Sequence, residues 1–347
     1  MTKDLYLILF VFLYVFSRSS AVFTAPKPDP TPTRQSARIA ARKEAVSDDD
    51  ETHGKKAIPN PSHATGRSRR GGLFGFLKNL SFEWLGALFM MALSTLILIS
   101  LHTLCTKTSC KPALPFDKLP KTKDAYIDQQ AIMAVLGFMV VLRVMAFLPL
   151  GATVRTATGM EVRMNGFYTL LGLLFLMPAL VYKKVDLSLV RKKYFYLMTA
   201  SLIWAFVTAL IGRLLARFRP GKKANVNARG NTGNFIVDFF KGREFNPSLL
   251  GADLKLQAYR FSLIGMALIN VVLVIENIMS RGGAVNHLVT LASAFQVLYA
   301  LDAMFFEQYY FLSYDAMNTG FGFHLTSSLH SFPFLPTLIT KYLIDRQ

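Results

Sequence analysis

Long apolar segments separated by shorter polar ones dominate the chain from about residue 85 onward. A mixed aromatic stretch reaching residue 323 leads into a last apolar segment that ends near residue 344. The clear apolar segments are 85–104, 127–150, 166–182, 195–216, 263–279 and 288–306. At about 1.5 Å per residue, each is near the length that crosses about 30 Å of hydrocarbon. The pattern predicts an all-α fold, namely a polytopic transmembrane helical bundle with about six to eight spans.

The N-terminal part of the chain has a different pattern. An apolar run at residues 5–16 is too short to span a bilayer, and a stretch rich in Pro, Ser, Thr, Lys and Arg follows it. We therefore divide the chain into an apolar N-terminal segment (1–23), a disordered basic tail (24–79) and a transmembrane domain (80–347). The apolar run is compatible with a signal-peptide core, with an uncleaved membrane-dipping segment and with an artefact of the gene model.

Composition places the protein in a membrane. Hydrophobic residues are 52% of the 347 and charged residues 17%, whereas a soluble domain of this length carries more charge. The net charge of +18 must therefore lie in loops and tails, where anionic lipid and nucleic acid are natural partners. No His or Cys spacing is typical of a metal site, so none is predicted.

Basic clusters in the tail can neutralise phosphates of DNA or chromatin, and such binding depends on salt and not on sequence. The predicted nucleic-acid contacts are Arg34, Arg38, Arg42, Arg67, Arg69 and Arg70. The same charges act as positive-inside signals beside the first span. Because the most basic regions occur in alternate loops, the tail and the polar segment 230–248 are predicted to share the cytosolic or nucleoplasmic side.

Ionisable residues inside apolar segments are costly to bury and therefore point to function. Those found here are Arg143, Glu276, Asp302, Glu307 and Asp315. Arg143 and Glu276 lie near span ends, where snorkelling accounts for them. Asp302 and Glu307 are five residues apart, which on a helix turns their side chains away from each other. Asp302, Glu307 and Asp315 are candidate catalytic residues, and structural polar contacts inside the bundle are the alternative.

The polar segment 230–248 mixes charged, aromatic and glycine residues beside the membrane, although a plain connector between two helices is the alternative. Its residue order, which includes Ile236 and Phe240, resembles a signature of the sterol reductase family. That family includes the delta-14 sterol reductases and the lamin B receptor. The predicted signature-loop residues are Gly233, Asp238, Gly242, Arg243, Glu244, Asn246 and Pro247.

Three further stretches resemble the same family. They are Phe-Leu-Pro-Leu-Gly at 147–151, Arg-Met-Asn-Gly-Phe-Tyr at 163–168 and Gly-Phe-Gly-Phe at 320–323, the last preceded by the three candidate acids. Gly320 and Gly322 allow a close backbone approach or a break in a helix. The resemblance runs from about residue 80 to residue 343 and implies a multi-pass protein of the inner nuclear membrane or endoplasmic reticulum.

Departures from the family pattern bear on activity. Reduction of a sterol double bond needs a bound nicotinamide and a proton donor. In the reductases, NADPH-binding motifs of the Gly-Trp-Trp-Gly and Arg-His-Pro-Asn-Tyr type lie in a C-terminal portion, and no such motif occurs up to Gln347. The chain also has Ala258, Thr319 and Pro336 where the family has an acid, an aspartate and a tyrosine of the sterol pocket.

The resemblance therefore implies a lamin B receptor-like member that has lost catalysis. Its expected partners are the lipid bilayer, a sterol, and chromatin, DNA or lamin through the basic tail. No cofactor is expected in the chain as given, and NADPH is expected only if the C-terminal portion exists. The alternative is an NADPH-dependent delta-14 sterol reductase of sterol biosynthesis, represented by an incomplete gene model.

Overall fold

A computed structural model describes residues 83–104, 125–156, 161–218 and 225–346. In chain order its helices are α1 (Glu83–Leu104), α2 (Gln129–Ala146), α3 (Gly166–Tyr182), α4 (Ser188–Lys192), α5 (Tyr194–Phe218), α6 (Phe235–Lys241), α7 (Leu254–Ser280), α8 (His287–Phe305), α9 (Tyr314–Asn318), α10 (Phe323–Ser331) and α11 (Phe334–Asp345). Two 3₁₀ helices, Ala228–Gly230 and Glu307–Leu312, precede α6 and α9. The apolar segment 1–23 and the tail 24–79 lie outside the described residues.

Five of these helices, α1, α2, α5, α7 and α8, are long and apolar enough to cross a membrane. Helix α3 is apolar but shorter, with 17 residues. Helices α10 and α11 are separated only by Phe332 and Pro333, so they form one interrupted segment. These findings confirm the predicted all-α, polytopic membrane fold.

Polar side chains fix where several helices begin. Asp128, Asn286 and Asp253 each accept a hydrogen bond from a backbone N–H in the first turn of α2, α8 and α7 respectively. Such capping satisfies N–H groups that have no partner within the helix. Asp253 accounts for a difference from the sequence prediction, because α7 begins at Leu254 and not near residue 263.

Helix α7 lies at the centre of the bundle, because 67% of its most apolar 18-residue stretch is buried inside the protein. It packs against α2, α3, α8, α10 and α11. The main core cluster unites α2, α3, α5, α7 and α8, and its members are Ala131, Val135, Leu142, Leu170, Leu173, Ala200, Phe261, Leu263, Ile264, Met266, Ala267, Ala300, Ala303 and Met304. Small residues such as Ala267 and Ala300 let helices approach closely, as is common in membranes, where lipid is as apolar as the protein interior.

Two short antiparallel hairpins lie at helix ends. Strands β1 (Ala152–Arg155) and β2 (Glu161–Met164) connect α2 to α3 and pair with Ala152 opposite Met164. Strands β3 (Ser248–Leu249) and β4 (Ala252–Asp253) lead into α7. Gly151 has a φ of 81°, and a Cβ atom there would collide with the Met164 carbonyl. The glycine that ends the Phe-Leu-Pro-Leu-Gly stretch is therefore required by the entry into the first hairpin.

Candidate functional site

A buried ion pair between Arg260 and Glu307 is the centre of the candidate site. Arg260 belongs to α7, and Glu307 begins the 3₁₀ helix that follows α8. Arg260 Nε donates to Glu307 Oε1 at 2.5 Å, and Arg260 Nη2 donates to Oε2 at 2.9 Å. The two side chains are 4% and 1% exposed. A bidentate pair of this kind is among the stronger hydrogen-bonded contacts in proteins, and its burial makes the loss of either partner costly.

The same carboxylate fixes the start of α3. The Gly166 backbone N–H donates to Glu307 Oε2 at 2.9 Å, and Arg260 Nη2 also donates to the Arg163 carbonyl at 2.7 Å. A carboxylate is favourable at a helix N-terminus, where N–H groups lack partners. A Cβ atom on Gly166 would lie 2.6 Å from Glu307 Oε1. The glycine of the Arg-Met-Asn-Gly-Phe-Tyr stretch is therefore needed for this contact.

Asn165 connects that stretch to the end of α2. Its Nδ2 donates to the Met145 carbonyl at 2.7 Å and to the Leu148 carbonyl at 3.3 Å. Its own carbonyl accepts hydrogen bonds from the N–H and the hydroxyl of Thr169. Two of the stretches that carried the family resemblance thus meet in one structural unit.

The other two candidate acids lie apart from this pair. Asp302 is exposed on the last turn of α8, and Asp315 is exposed on α9. Asp315 accepts a 3.4 Å hydrogen bond from the Thr319 hydroxyl. Asp302 and Glu307 do not share the one continuous helix that was predicted from their spacing, because α8 ends at Phe305. The change to a 3₁₀ helix allows Glu307 to be buried while Asp302 is exposed.

Lys255 and Arg260 are buried charges that the sequence analysis missed as functional residues. Lys255 is fully buried, and its Nζ donates to the carbonyls of Ala316 at 2.9 Å and Thr319 at 2.6 Å. Both residues precede the apolar segment predicted to begin at residue 263, where they read as a polar flank. The signal that could have found them is Asp253, which has the residue type of an N-cap and indicates an earlier helix start.

The signature loop is folded largely on itself. Asp238 is buried, and its Oδ1 accepts hydrogen bonds from the N–H and hydroxyl of Thr232 at 2.7 and 2.8 Å. Its Oδ2 lies 3.9 Å from Arg213 Nη1, which belongs to α5. Arg243 donates to the Asn231 side chain at 2.7 Å. These contacts give Asp238 and Arg243 structural roles in this arrangement.

The second half of the loop is paired with the chain that enters it. Asn246 exchanges hydrogen bonds with Asn225, and Glu244 forms an isolated antiparallel bridge with Val226. Pro247 accepts a 3.0 Å hydrogen bond from the backbone N–H of Leu254, the first residue of α7. The loop is therefore joined directly to the helix that carries Lys255 and Arg260.

Glycine residues bring the signature loop and the Gly-Phe-Gly-Phe stretch into backbone contact. Cβ atoms on Gly242, Gly320 and Gly322 would each collide with backbone of the opposite segment. The Phe321 N–H also donates to the Glu244 carbonyl at 2.8 Å. Helix α9 ends before this contact and α10 begins after it, so the close approach and the helix break predicted at Gly320 and Gly322 are both present.

Position 336 lies in a buried network of amide and hydroxyl groups. Gln296 donates to the Pro336 carbonyl at 3.2 Å and accepts from Asn270 at 2.8 Å. Thr340 donates to the Asn270 side chain at 2.7 Å. Side chains from α7, α8 and α11 thus satisfy one another in the region where the resemblance implies a sterol-pocket tyrosine.

Tyr310 is a buried residue three positions after Glu307, in the same 3₁₀ helix. Its ring stacks on that of Tyr259, with centroids 4.1 Å apart. Burial raises the pKa of Tyr310 well above its ordinary value, so the hydroxyl keeps its proton. Within the described ranges, its oxygen has no hydrogen-bond partner. Tyr310 is therefore a neutral hydrogen-bond donor, and the residue is only 8% exposed.

The residues predicted to contact nucleic acid lie outside the described part of the chain, because all of them precede residue 83. They are Arg34, Arg38, Arg42, Arg67, Arg69 and Arg70. Their assignment stays a prediction. In the part of the chain that the structure describes, no group of three or more His, Cys, Asp or Glu side chains is arranged to hold a metal ion.

The helices and their polar contacts define a multi-pass membrane protein. Residues 89–346 match the model of the Ergosterol biosynthesis ERG4/ERG24 family, and the chain therefore belongs to that family. This finding confirms the resemblance to the sterol reductase family. The match includes the signature loop, the ion pair and the Gly-Phe-Gly-Phe stretch.

Individual relatives are similar over about half of the chain. A mouse (Mus musculus) protein named Delta(14)-sterol reductase TM7SF2 is 30% identical over 200 residues, which are 55% of this chain and 47% of the relative. A chicken (Gallus gallus) protein named Delta(14)-sterol reductase LBR is 29% identical over 188 residues, which are 53% of this chain and 29% of the relative. The Drosophila melanogaster Lamin-B receptor is 28% identical over 184 residues, which are 46% of this chain and 25% of the relative. The matches thus span between a quarter and a half of these relatives' lengths.

Proposed function

We propose that this chain is a sterol-binding membrane protein in which the described helices form a scaffold and not a centre of hydride transfer. The observation that carries the proposal is the state of Glu307, the buried member of the three candidate acids. Both of its oxygens accept hydrogen bonds, from Arg260 and from the Gly166 N–H. Proton delivery by Glu307 would require the bidentate pair to break. Arg260 would then remain buried without a counter-charge, which is costly.

Two further observations support this proposal. Buried cations are the groups that could meet the phosphates of NADPH, yet Lys255 is bonded to two backbone carbonyls and Arg260 to Glu307. In this arrangement neither is available for that role. Pro336 replaces the tyrosine that the resemblance implies, and Gln296 is bonded to its carbonyl.

Sterol binding is proposed from the relatives and from the fold. The mouse and chicken relatives are named Delta(14)-sterol reductase, so sterols are the substrate class that their names state. Crevices between packed helices are common places for small apolar ligands. A sterol in such a crevice needs no cofactor, and reduction needs one.

A paired experiment tests binding and reduction separately. The full chain is expressed in cells that lack delta-14 sterol reductase, cellular sterols are profiled, and the purified chain is labelled with a photoreactive delta-14 sterol. We expect saturable labelling that excess delta-14 sterol prevents, together with persistent accumulation of the unreduced sterol. Disappearance of the accumulated sterol would contradict the loss of catalysis, and labelling that excess sterol leaves unchanged would contradict sterol binding.

For location and partners, we propose the endoplasmic reticulum or inner nuclear membrane, with the basic tail contacting chromatin or lamin. The Drosophila relative is named Lamin-B receptor, and the tail carries the Arg clusters described above. A fluorescent fusion of the full chain should be retained at the nuclear rim after detergent extraction of soluble proteins. Deletion of residues 24–79 should abolish that retention, and unchanged retention would contradict a role for the tail.

The second candidate function is NADPH-dependent reduction of a delta-14 sterol, and Tyr310 is the observation that favours it. The Tyr310 hydroxyl has no hydrogen-bond partner among the described residues and is therefore free to donate to a bound sterol, although the burial that raises its pKa also makes it a weaker acid. If the sterol profile shows reduction, the Tyr310→Phe variant separates this role from a structural one. Loss of reduction with retained sterol labelling would support proton donation, whereas unchanged reduction would exclude it.

A further inference from the structure

A cavity of about 150 Å³ opens at the end of the bundle that carries the two hairpins. Its walls come from the last turns of α2, from β2, and from the chain that runs from β4 into α7. Leu142, Ala146, Val162 and Leu256 supply apolar wall, while Asp253, Gln257 and two arginines supply polar wall. The cavity is far from the position-336 network along α7, because it adjoins the first turns of that helix.

Two of the residues that line this cavity each carry a buried oxygen atom that accepts no hydrogen bond from the described residues. Asp253 is 2% exposed, and while its Oδ1 caps α7 by accepting from Leu256 N–H, its Oδ2 has no hydrogen-bond partner among the described residues. Gln257 lies one helical turn further on. Its Nε2 donates to the Met139 carbonyl at 3.1 Å, which leaves Oε1 as a second acceptor that nothing in the described ranges satisfies. Buried acceptors are normally paired, so these two indicate a ligand that donates hydrogen bonds.

The charges around the cavity restrict the ligand further. Asp253 lies at the inner end, where burial raises the pKa of its carboxyl and the nearby Lys255 and Arg143 oppose that shift, and the exposed Arg163 side chain lies on the lining as a cation. Arg260 also lines the cavity, although Glu307 already pairs with it. A bare metal cation would leave Arg163 without an anion and would find few oxygens. A ligand with an ammonium group for Asp253 and Gln257 and an anionic group for Arg163 complements both ends.

The surroundings of the cavity also present apolar surface. Phe147, at the cavity wall, is 57% exposed, and Leu148 and Leu150 after it are 39% and 45% exposed. These residues follow directly on α2, one of the helices able to cross the membrane, so they lie where the bilayer meets its polar surface. Acyl chains of a phospholipid could cover them while its headgroup occupies the cavity.

We propose that this cavity binds the headgroup of an ethanolamine phospholipid, with the ammonium donating to Asp253 Oδ2 and Gln257 Oε1 and the phosphate facing Arg163. The ammonium has three N–H donors, whereas the trimethylated choline headgroup has none. The site therefore distinguishes two zwitterionic lipids that have the same net charge and the same acyl chains.

The test is a lipid titration of the purified full chain followed by native mass spectrometry. Dioleoyl phosphatidylethanolamine and dioleoyl phosphatidylcholine are compared, and soluble phosphoethanolamine is added as a competitor in a separate arm. We expect about tenfold tighter binding of the ethanolamine lipid, as is typical of hydrogen bonds to a charged group. Competition by soluble phosphoethanolamine at low millimolar concentration would indicate that the headgroup alone suffices, and its absence that the acyl chains are also needed.

Two variants connect the preference to named atoms. Asp253→Asn keeps an oxygen that can cap α7 but removes the charge, and it should reduce ethanolamine binding to the choline level. Arg163→Gln should weaken both lipids equally and keep their ratio. Asp128→Asn is the matched control, because it changes the carboxylate that caps α2 away from this cavity and should leave both affinities unchanged.

Several outcomes would overturn the proposal. Equal binding of both lipids by the unaltered chain would do so, as would a preference that survives in Asp253→Asn. Stabilisation by sodium or potassium chloride equal to that by the ethanolamine lipid would indicate a simple cation site instead. If Asp253→Asn fails to fold, Gln257→Met removes the second acceptor while keeping its size, and an unchanged lipid preference in that variant would equally overturn the proposal.

Discussion

Arg260 and Glu307 join three segments of the chain through side-chain atoms. The pair bridges α7 and the 3₁₀ helix after α8, and its hydrogen bonds to Gly166 and Arg163 add the start of α3. Desolvation of both charges offsets much of their attraction, so the intact pair contributes little net stability relative to apolar residues of the same size. We expect a larger effect on specificity, because any other register of these segments would leave a buried charge without a partner.

Glu307→Gln should therefore destabilise the protein by about 3 kcal/mol, the usual cost when one member of a buried ion pair is removed. The matched control is Asp302→Asn, which removes an exposed carboxylate five residues earlier and should change stability by less than about 0.5 kcal/mol. Thermal unfolding in detergent micelles measures both. Equal stability of the two variants would show that the Glu307 contacts contribute nothing, and that the carboxylate is free for another role.

At this scale the sequence identified one partner of the pair and not the other. Glu307 stood out as an acid inside an apolar segment, whereas Arg260 lies 47 residues away and before the apolar segment of its own helix. Spacing along one helix cannot reveal a contact between helices. For the same reason the two backbone carbonyls that bind Lys255 were invisible in the sequence, since carbonyls are present at every residue.

At the level of elements, the signature loop and the Gly-Phe-Gly-Phe stretch form one backbone-to-backbone contact. Gly242 has a φ of 78°, and both the backbone conformation and the space around it require glycine. Gly233 has a φ of 86° but nothing within 4 Å of its missing Cβ atom. At Gly233 only the backbone conformation favours glycine, whereas at Gly242 close packing adds to it.

Gly242→Ala is expected to destabilise the fold by at least about 3 kcal/mol, because left-handed strain adds to a collision with Phe321 and Gly322. Gly233→Ala, the matched control, should cost only about 1–2 kcal/mol from strain. The thermal stability of the two variants, monitored by size-exclusion chromatography, distinguishes strain alone from strain with a collision. A Gly242→Ala protein as stable as Gly233→Ala would mean that the contact between the two segments is loose.

The sequence predicted the existence of elements better than their ends. The apolar segment at 166–182 coincides with α3, since apolar composition and helix both stop at Tyr182. Helix α7 begins at Leu254, nine residues before the predicted segment, because Lys255 and Arg260 are buried with partners and do not end the helix. Hydrophobicity reports contact with lipid, whereas a helix continues wherever its polar side chains find bonds within the protein.

At the scale of the whole molecule, the basic tail is predicted to bind nucleic acid electrostatically. A peptide of residues 24–79 should bind duplex DNA weakly, with an affinity that falls by roughly tenfold or more between 50 and 200 mM salt and does not depend on base sequence. Fluorescence anisotropy measures this. The control peptide carries Gln in place of Arg34, Arg38, Arg42, Arg67, Arg69 and Arg70. Absence of binding by the unaltered peptide at about 50 mM salt would leave these residues as topology signals.

The orientation of the bundle depends on which end carries the signature loop. Glu83, the first residue of α1, has its Oε2 3.4 Å from Lys241 Nζ of α6, so the start of the first described helix after the tail lies beside that loop. This contact is consistent with the prediction that the tail and residues 230–248 lie on the same side of the membrane. The loop between α7 and α8, which contains exposed Gly282 and Gly283, lies at the other end of α7.

Glycosylation acceptors inserted in the tail and next to Gly233 should therefore remain unmodified in microsomes, because the tail and the polar loop before α7 are basic and positive loops stay cytosolic. An acceptor inserted between Gly282 and Gly283 should be modified, and it is the positive control for lumenal exposure. Modification in the tail and next to Gly233, with none at 282–283, would invert the orientation. Modification at only one of those two places would separate the tail from the signature loop and contradict the Glu83–Lys241 contact.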